Sequence, residues 1–242
     1  MKLWKKLFPD HRPMKPRCAA VVAAAGSSSR MEGENKLLLS LGGMPVLAHT
    51  LRAVDAARAV REIIIAAREE DLVTFAALCK DWGVTKPVKL VAGGKTREES
   101  VLRAVAEAEP ETDLIAVQDG ARPFVTPELI DSVVAAANTY FAAAPAVPVK
   151  DTIKVAVNGA VRETPDRSTL FAVQTPQVFD AQLLRAALQS AYESGAVLTD
   201  DCSAVERLGK TVYLTPGLEE NIKITTPLDM ILAEAILNRR GS

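Results

Sequence analysis

The stretch AAVVAAAG, residues 19–26, is a continuous apolar run that stops on a glycine. That is the pattern of a strand buried on both faces of a parallel sheet and feeding a loop. Working outward, apolar residues recur at helical spacing within 46–60 (Val46, Leu47, Leu51, Val54), and 62–66 (EIIIA) reads as a second buried strand. A helix over 69–82, a strand over 88–92, a helix over 97–108 and a strand over 114–118 ending at Asp119 continue the series. This alternation predicts an α/β fold, a Rossmann-like and mostly parallel sheet flanked by helices and joined by right-handed crossovers. Ligands in such sheets sit beyond the carboxyl ends of the strands. The loops 26–36 and 119–126 are therefore where a site is expected.

Thr126-Pro127-Glu128 is a strong helix start, with an N-cap threonine and proline at the first helical position. From Lys150 the rhythm breaks. KDTIKVAVNGAVRET reads as two short alternating stretches around Asn158-Gly159, a favoured two-residue hairpin turn. A hairpin that short needs a surface to lie against, either the parent domain or a partner subunit. Helices over 180–192 and about 200–208, a strand over 211–214 and a closing helix after Thr226-Pro227 complete the chain. The expected organisation is a basic tail, 1–17, and one domain, 18–242, carrying a β-arm at about 150–172.

Composition narrows the function. Of 242 residues, 48% are hydrophobic, 24% charged and 5% aromatic, which excludes disorder, collagen and a coiled coil. The 29 basic and 30 acidic side chains nearly cancel, so no global field draws the protein to nucleic acid or to an anionic membrane. Three widely spaced cysteines without a C-x-x-C give neither a zinc site nor a disulfide framework. With only His11 and His49 present, Ser-His or Cys-His chemistry would rest on His49 alone. The basic start followed by an Ala-rich run superficially copies an export signal, but the run is short. Residues 132–149 lack charge yet contain Asn138, Thr139, Pro145 and Pro148, which makes them helix, loop and strand rather than a membrane span. A cytoplasmic protein is expected.

AAAGSSSRMEGENK, residues 23–36, joins a strand end, a small-residue loop and two cations, Arg30 and Lys36. Small residues let backbone N–H groups approach phosphate oxygens, and the cations neutralise charge, so the segment reads as a polyphosphate cradle or, more plainly, a flexible polar loop. A P-loop is excluded because Lys89 stands where glycine must precede Gly94-Lys95-Thr96. The dinucleotide fingerprint is missing too, since Ser27, Ser28, Ser29 and Arg30 follow Gly26.

AAAGSSSRM with Lys36, GGKTREES (93–100), QDGARP (118–123), VKDTIK (149–154), DRSTL with TPQVF, TDD with SAVE, and NIKITTPLD occur in that order. The ordered set resembles the 2-C-methyl-D-erythritol 4-phosphate cytidylyltransferase family of the nucleotidyltransferase superfamily. The resemblance implies attack of a polyol phosphate on the α-phosphorus of CTP, with Mg²⁺ or another divalent cation as cofactor. It implies Arg30, Lys36 and Lys223 as catalytic cations, and Ala24, Ala25, Gly26, Ser27, Gly93, Ser100 and Asp119 around the nucleotide. Asp119 is the implied metal ligand. Arg122, Thr152, Arg167, Thr175 and Thr199 match positions that bind methylerythritol phosphate. The arm, in this family, crosses to a second subunit, so a homodimer is implied.

The chain departs from the family pattern at Ser28 (usually glycine), Asn35 (often proline), Lys95 (commonly acidic) and Gly120 (commonly alanine). A cytidylyltransferase for another polyol phosphate, such as ribitol 5-phosphate, shares the nucleotide half. A catalytically silent nucleotide-binding protein of the same fold is the reading from a different class.

Overall fold

The computed structural model of the protein describes residues 15–26 and 35–241. Its centre is the run first read as a strand: β1, Cys18–Ala24, pairs in parallel with β4, Val60–Ala67, on one side and with β6, Leu114–Asp119, on the other. β5, Val88–Ala92, extends the parallel half beyond β4. Alternate residues of β1 serve opposite faces, as the strand period demands. Cys18, Ala20, Val22 and Ala24 pack with helices α1 (Val46–Ala56), α2 (Leu72–Asp81) and α4 (Pro127–Tyr140). Ala19 and Val21 pack with α3 (Arg97–Ala106), α5 (Ala181–Glu193) and α6 (Asp201–Arg207). Truncating a fully buried side chain in these layers, such as Ile64, carries a penalty of about 2–5 kcal/mol.

The other half of the sheet is mixed. β11, Gln177–Asp180, runs antiparallel to β6 and to β7, Ala142–Pro148, which in turn pairs with β10, Phe171–Val173, and with β12, Tyr213–Pro216. The strand order is β10-β7-β11-β6-β1-β4-β5, with β12 added on β7. Chain order reverses at β1, and that switch point puts the ends of β1 and β6 side by side, with Ala23 opposite Asp119. A last helix, α7 (Pro227–Gly241), covers Leu41, Val46 and Phe124 through Ala233 and Ile236. Leu41 belongs to a short ribbon of β2, Ser40–Leu41, and β3, Met44–Pro45.

Several boundaries differ from expectation. α1 stops at Ala56 rather than near residue 60, because Asp131 takes the Arg58 and Ala59 amides at 3.2 and 2.9 Å and Lys86 donates to the Val54 carbonyl at 3.3 Å, to the Asp55 carbonyl and to the carbonyl of the C-cap Ala57 at 2.8 Å. Val60 is thereby released to begin β4. The segment expected as one helix over 69–82 opens with a 3-10 turn, Glu69–Asp71, before α2. Thr126 caps α4 as read, accepting the Leu129 N–H at 3.2 Å. Asp180 and Asp200 lie just outside α5 and α6 as their N-caps.

The hairpin forms where Asn158-Gly159 puts it. β8, Val155–Val157, and β9, Ala160–Glu163, join through two left-handed residues, φ 50° and 79°. That is the turn geometry Asn-Gly favours. Every residue from 150 to 164 is exposed, Ile153, Val155, Val157 and Val161 included. Among the described residues no helix is long and apolar enough to cross a membrane.

Candidate active site

Over the switch point lies a cleft of about 340 Å³, within the range of small-ligand pockets. Its floor is the end of β1 with the two residues that follow it, Ala23 to Gly26, whose small side chains leave the backbone accessible. Its walls come from Lys36 and Leu37, from the β5–α3 turn (Gly94, Lys95, Thr96, Arg97) with Ser100, and from Asp119, Ala121 and Lys223. The turn is locked from within. Ser100 Oγ accepts the Gly94 N–H at 3.0 Å and donates to the Thr96 carbonyl at 2.7 Å, while Thr96 caps α3.

Asp119 is the electrostatic centre. Lys223 Nζ lies 2.9 Å and Arg122 Nε 3.3 Å from its Oδ2, and Arg97 lies 3.7 Å from Oδ1. Burial pushes the Asp119 carboxyl up, yet Lys223, Arg97 and Arg122 together outweigh burial and hold it below the usual carboxylate range. Arg97 also pairs with the buried Asp201 at 2.7 Å. Burial would lower the Arg97 pKa; Asp201, Asp119 and Asp200 more than reverse that and keep it charged. For Arg122 burial prevails over Asp119 and shifts its pKa down. The cleft thus holds a surplus of cations around one ionised acid, which suits a polyanionic ligand.

Lys223 reaches Asp119 from a loop that is itself pinned. Gln174 exchanges hydrogen bonds with the Leu218 carbonyl (2.7 Å) and N–H (3.2 Å), and Asn221 Nδ2 donates to the Thr175 carbonyl at 3.0 Å. Arg122 Nη1 donates to the Asn221 carbonyl at 2.7 Å. Thr175 Oγ1 in turn accepts the Asp119 N–H at 3.1 Å.

Among the residues expected to act, Ala24, Ala25, Gly26, Lys36, Ser100, Asp119 and Lys223 are brought together in this cleft. Arg122 stands beside it on Asp119. Gly93 lies beneath the wall rather than in it, donating its N–H to the Ala67 carbonyl at 2.7 Å, so the glycine of the pair that lines the cleft is Gly94. Thr175 is buried behind Asp119. Thr152, Arg167 and Thr199 are exposed and outside the cleft; Arg167 donates to the Lys150 carbonyl at 2.8 Å, at the base of the hairpin. Ser27 and Arg30 lie outside the described residues.

Arg97 and Asp201 escaped the sequence reading. One signal was available for Arg97: a cation in the first turn of a helix opposes the helix dipole and calls for another reason to be there. Their pairing across 104 residues of sequence had none.

A hard divalent cation keeps water and phosphate ligands and needs only one or two carboxylates from the protein. Asp119, ionised and lining the cleft, fits an ion that arrives with a triphosphate. Among the described residues no cluster of three acidic, His or Cys side chains forms a free-standing metal cage.

Fold and cleft together define a doubly wound α/β protein with a cation-lined ligand site at the switch point of its sheet. A model of the 2-C-methyl-D-erythritol 4-phosphate cytidylyltransferase family matches residues 18–239, and the chain belongs to that family. The protein of that name from Bacillus cytotoxicus is 47% identical over 219 residues, covering 90% of this chain and 96% of the relative. The one from Caldanaerobacter subterraneus is 43% identical over 224 residues, covering 91% and 99%. The crystal structure of 4-diphosphocytidyl-2C-methyl-D-erythritol synthase from Anaerococcus prevotii superposes with a TM-score of 0.85 at 31% identity, over 93% of this chain and 97% of that one. The cytidylyltransferase structure from Thermus thermophilus gives 0.73 at 33%, over 91% and 98%.

Proposed function

We propose that the protein transfers the cytidylyl group of CTP to 2-C-methyl-D-erythritol 4-phosphate, giving 4-diphosphocytidyl-2-C-methyl-D-erythritol and pyrophosphate, a step toward isoprenoid precursors. The observation that carries this reading is the convergence of Lys223, Arg122 and Arg97 on Asp119, with Lys36 in the wall of the same cleft, over a floor of small residues. Membership of the family supplies the identity of the two substrates.

The chemistry suits these side chains. A phosphate monoester, with a second pKa of about 6, is mostly dianionic at pH 7 and is already a nucleophile. One of its oxygens bonds to the α-phosphorus of CTP, and the bond from that phosphorus to the oxygen bridging to the β-phosphate breaks. Pyrophosphate leaves with that oxygen and the electron pair. No proton moves, so the lack of a histidine or cysteine among the described residues that line the cleft is no obstacle. What the site supplies is alignment of two anions and fixed positive charge around the crowded phosphorus. Lys36 and Lys223 are the described cations assigned to the phosphates, joined by Arg30. Gly94 and Ser100, with Ala24 to Gly26, are assigned to the nucleoside. Asp119 would hold Mg²⁺ or a similar ion, which would supply neutralisation of phosphate charge; Lys223, beside Asp119, is assigned to the α-phosphate.

Arg122, Thr175 and Thr199 are assigned to the polyol phosphate. Thr152 and Arg167 flank the exposed hairpin, outside their own chain's cleft, which supports a homodimer in which the arm serves the partner's site. A cytoplasmic location completes the reading and is checked by cell fractionation. The test of function is pyrophosphate release with Mg²⁺, pairing CTP, UTP, ATP and GTP with methylerythritol phosphate and ribitol phosphate. Turnover confined to CTP with methylerythritol phosphate is expected. Turnover with ribitol phosphate instead would move the substrate, and silence with every pair would leave a nucleotide-binding protein.

A further inference from the structure

Lys36 is held at its backbone from both sides. On one side Leu37 is buried, and its carbonyl accepts the Leu47 N–H at 2.9 Å. On the other, Asn35 Oδ1 accepts the Leu37 N–H at 3.1 Å, and the Asn35 carbonyl accepts the Leu38 N–H at 2.9 Å. Lys36 is therefore the middle residue of an Asx turn nested within a β-turn. The turn is moored to the sheet by the remaining arm of the same amide: Asn35 Nδ2 donates to Asp71 Oδ2 at 3.0 Å. Asp71, only 6% exposed, sits in the 3-10 turn after β4, and Arg68 Nε donates to the same oxygen at 2.7 Å. A buried carboxylate from another part of the fold thus has its charge balanced by Arg68 and spends its hydrogen bond on the residue before the cleft lysine.

We propose that the Arg68–Asp71–Asn35 chain is a positioning device for Lys36, fixing the direction in which its ammonium enters the cleft. A proline at 35 would achieve stiffness through its ring; here hydrogen bonds to a buried anchor do it. The proposal rests on the catalytic reading of Lys36. A lysine's ammonium stands four carbons from its backbone, so a small tilt of the turn moves the charge by an ångström or more. Displacements of that size are worth up to roughly 10²-fold in rate. Neither Asn35 nor Asp71 needs to touch a substrate.

The test is a double-mutant cycle on N35D, D71N and N35D/D71N, with kcat, KM for CTP and Tm measured for each. N35D keeps an acceptor for the Leu37 N–H but sets a carboxylate against Asp71. A fall in kcat of about tenfold is expected, with KM for CTP altered much less. In the double variant amide and carboxylate trade places and can pair again, so most of the lost kcat should return. Wild-type kcat in N35D, or a double variant no faster than N35D, overturns the proposal while K36A remains inactive. A lowered Tm with kcat intact overturns it too, reducing the pair to a structural staple. Full turnover in K36A would remove the reading of Lys36 itself, and the proposal with it.

Discussion

Asp119→Asn removes one negative charge from the centre of the cleft and almost no volume. Three cations lose their shared acid, and they lose unequal amounts. Arg97 keeps Asp201 at 2.7 Å. Lys223 is 39% exposed, so water screens it and its share is below about 1 kcal/mol. Arg122 is the one stranded, 12% exposed and already destabilised in its charged form by burial. Breaking a buried pair from one side carries a penalty of about 3–5 kcal/mol. The bond from Arg122 to the Asn221 carbonyl survives, so about 2–3 kcal/mol is expected. In a chain of this size that lowers Tm by about 4–12 °C. Thermal unfolding at neutral pH, with pyrophosphate release assayed on the same sample at the permissive temperature, measures both consequences. Turnover should fall by roughly 10²–10³-fold. An unchanged or raised Tm would refute the electrostatic argument, because the cations would then not depend on Asp119. A lowered Tm with full turnover would leave Asp119 a purely structural acid.

Other outcomes follow from the same geometry. Lys223→Ala should lose roughly 10²–10³-fold in turnover with Tm nearly unchanged, since its pair with Asp119 is half exposed. Gly93→Ala would put a methyl group 2.6 Å from Ala25 Cβ and 2.9 Å from Ser100 Oγ, so the floor must shift; a loss of about 1–3 kcal/mol by urea unfolding and a raised KM for CTP are expected. Asp229 feels burial first, which raises its pKa, but the Thr225 and Thr226 bonds overcome it and hold it below 3.8. A carboxyl depressed in the folded state adds stability that is complete above the unfolded value and disappears as pH falls through the folded one. The urea midpoint should therefore drop below about pH 4 and drop less steeply in Asp229→Asn. Val157→Asp on the exposed hairpin should shift sedimentation from dimer toward monomer; a wild-type monomer would remove the arm's proposed role.

Much of this was legible because local rules agreed. The parallel half of the sheet could be read from apolar runs, and α4 and the hairpin from Thr126-Pro127 and Asn158-Gly159. β12 was read two residues early, over 211–214; β10 and β11 could not be read, because they are three or four residues long and owe their existence to pairing with β6 and β7 across long separations. The same divide runs through the site. Asp119 and Lys36 stand at strand and loop ends, where topology alone directs attention. Arg97–Asp201 and Asn35–Asp71 are pairs made by folding, and neither partner marks the other in sequence. Arg17 makes the same point for the tail. Nothing in the sequence marks Arg17 as tied down, yet its N–H donates to Asp113 at 2.8 Å and its carbonyl accepts the Asp113 N–H at 2.9 Å.

The central claim is that this cleft joins a polyol phosphate to the α-phosphorus of CTP. It is tested most directly by supplying methylerythritol phosphate whose non-bridging phosphate oxygens are oxygen-18 and weighing the products of the wild type and of Lys36→Ala. The account predicts a cytidine diphosphate ester that retains the whole label, unlabelled pyrophosphate, and almost no product from the variant. Label in pyrophosphate, release of cytidine monophosphate in place of the ester, or equal turnover by Lys36→Ala would contradict it.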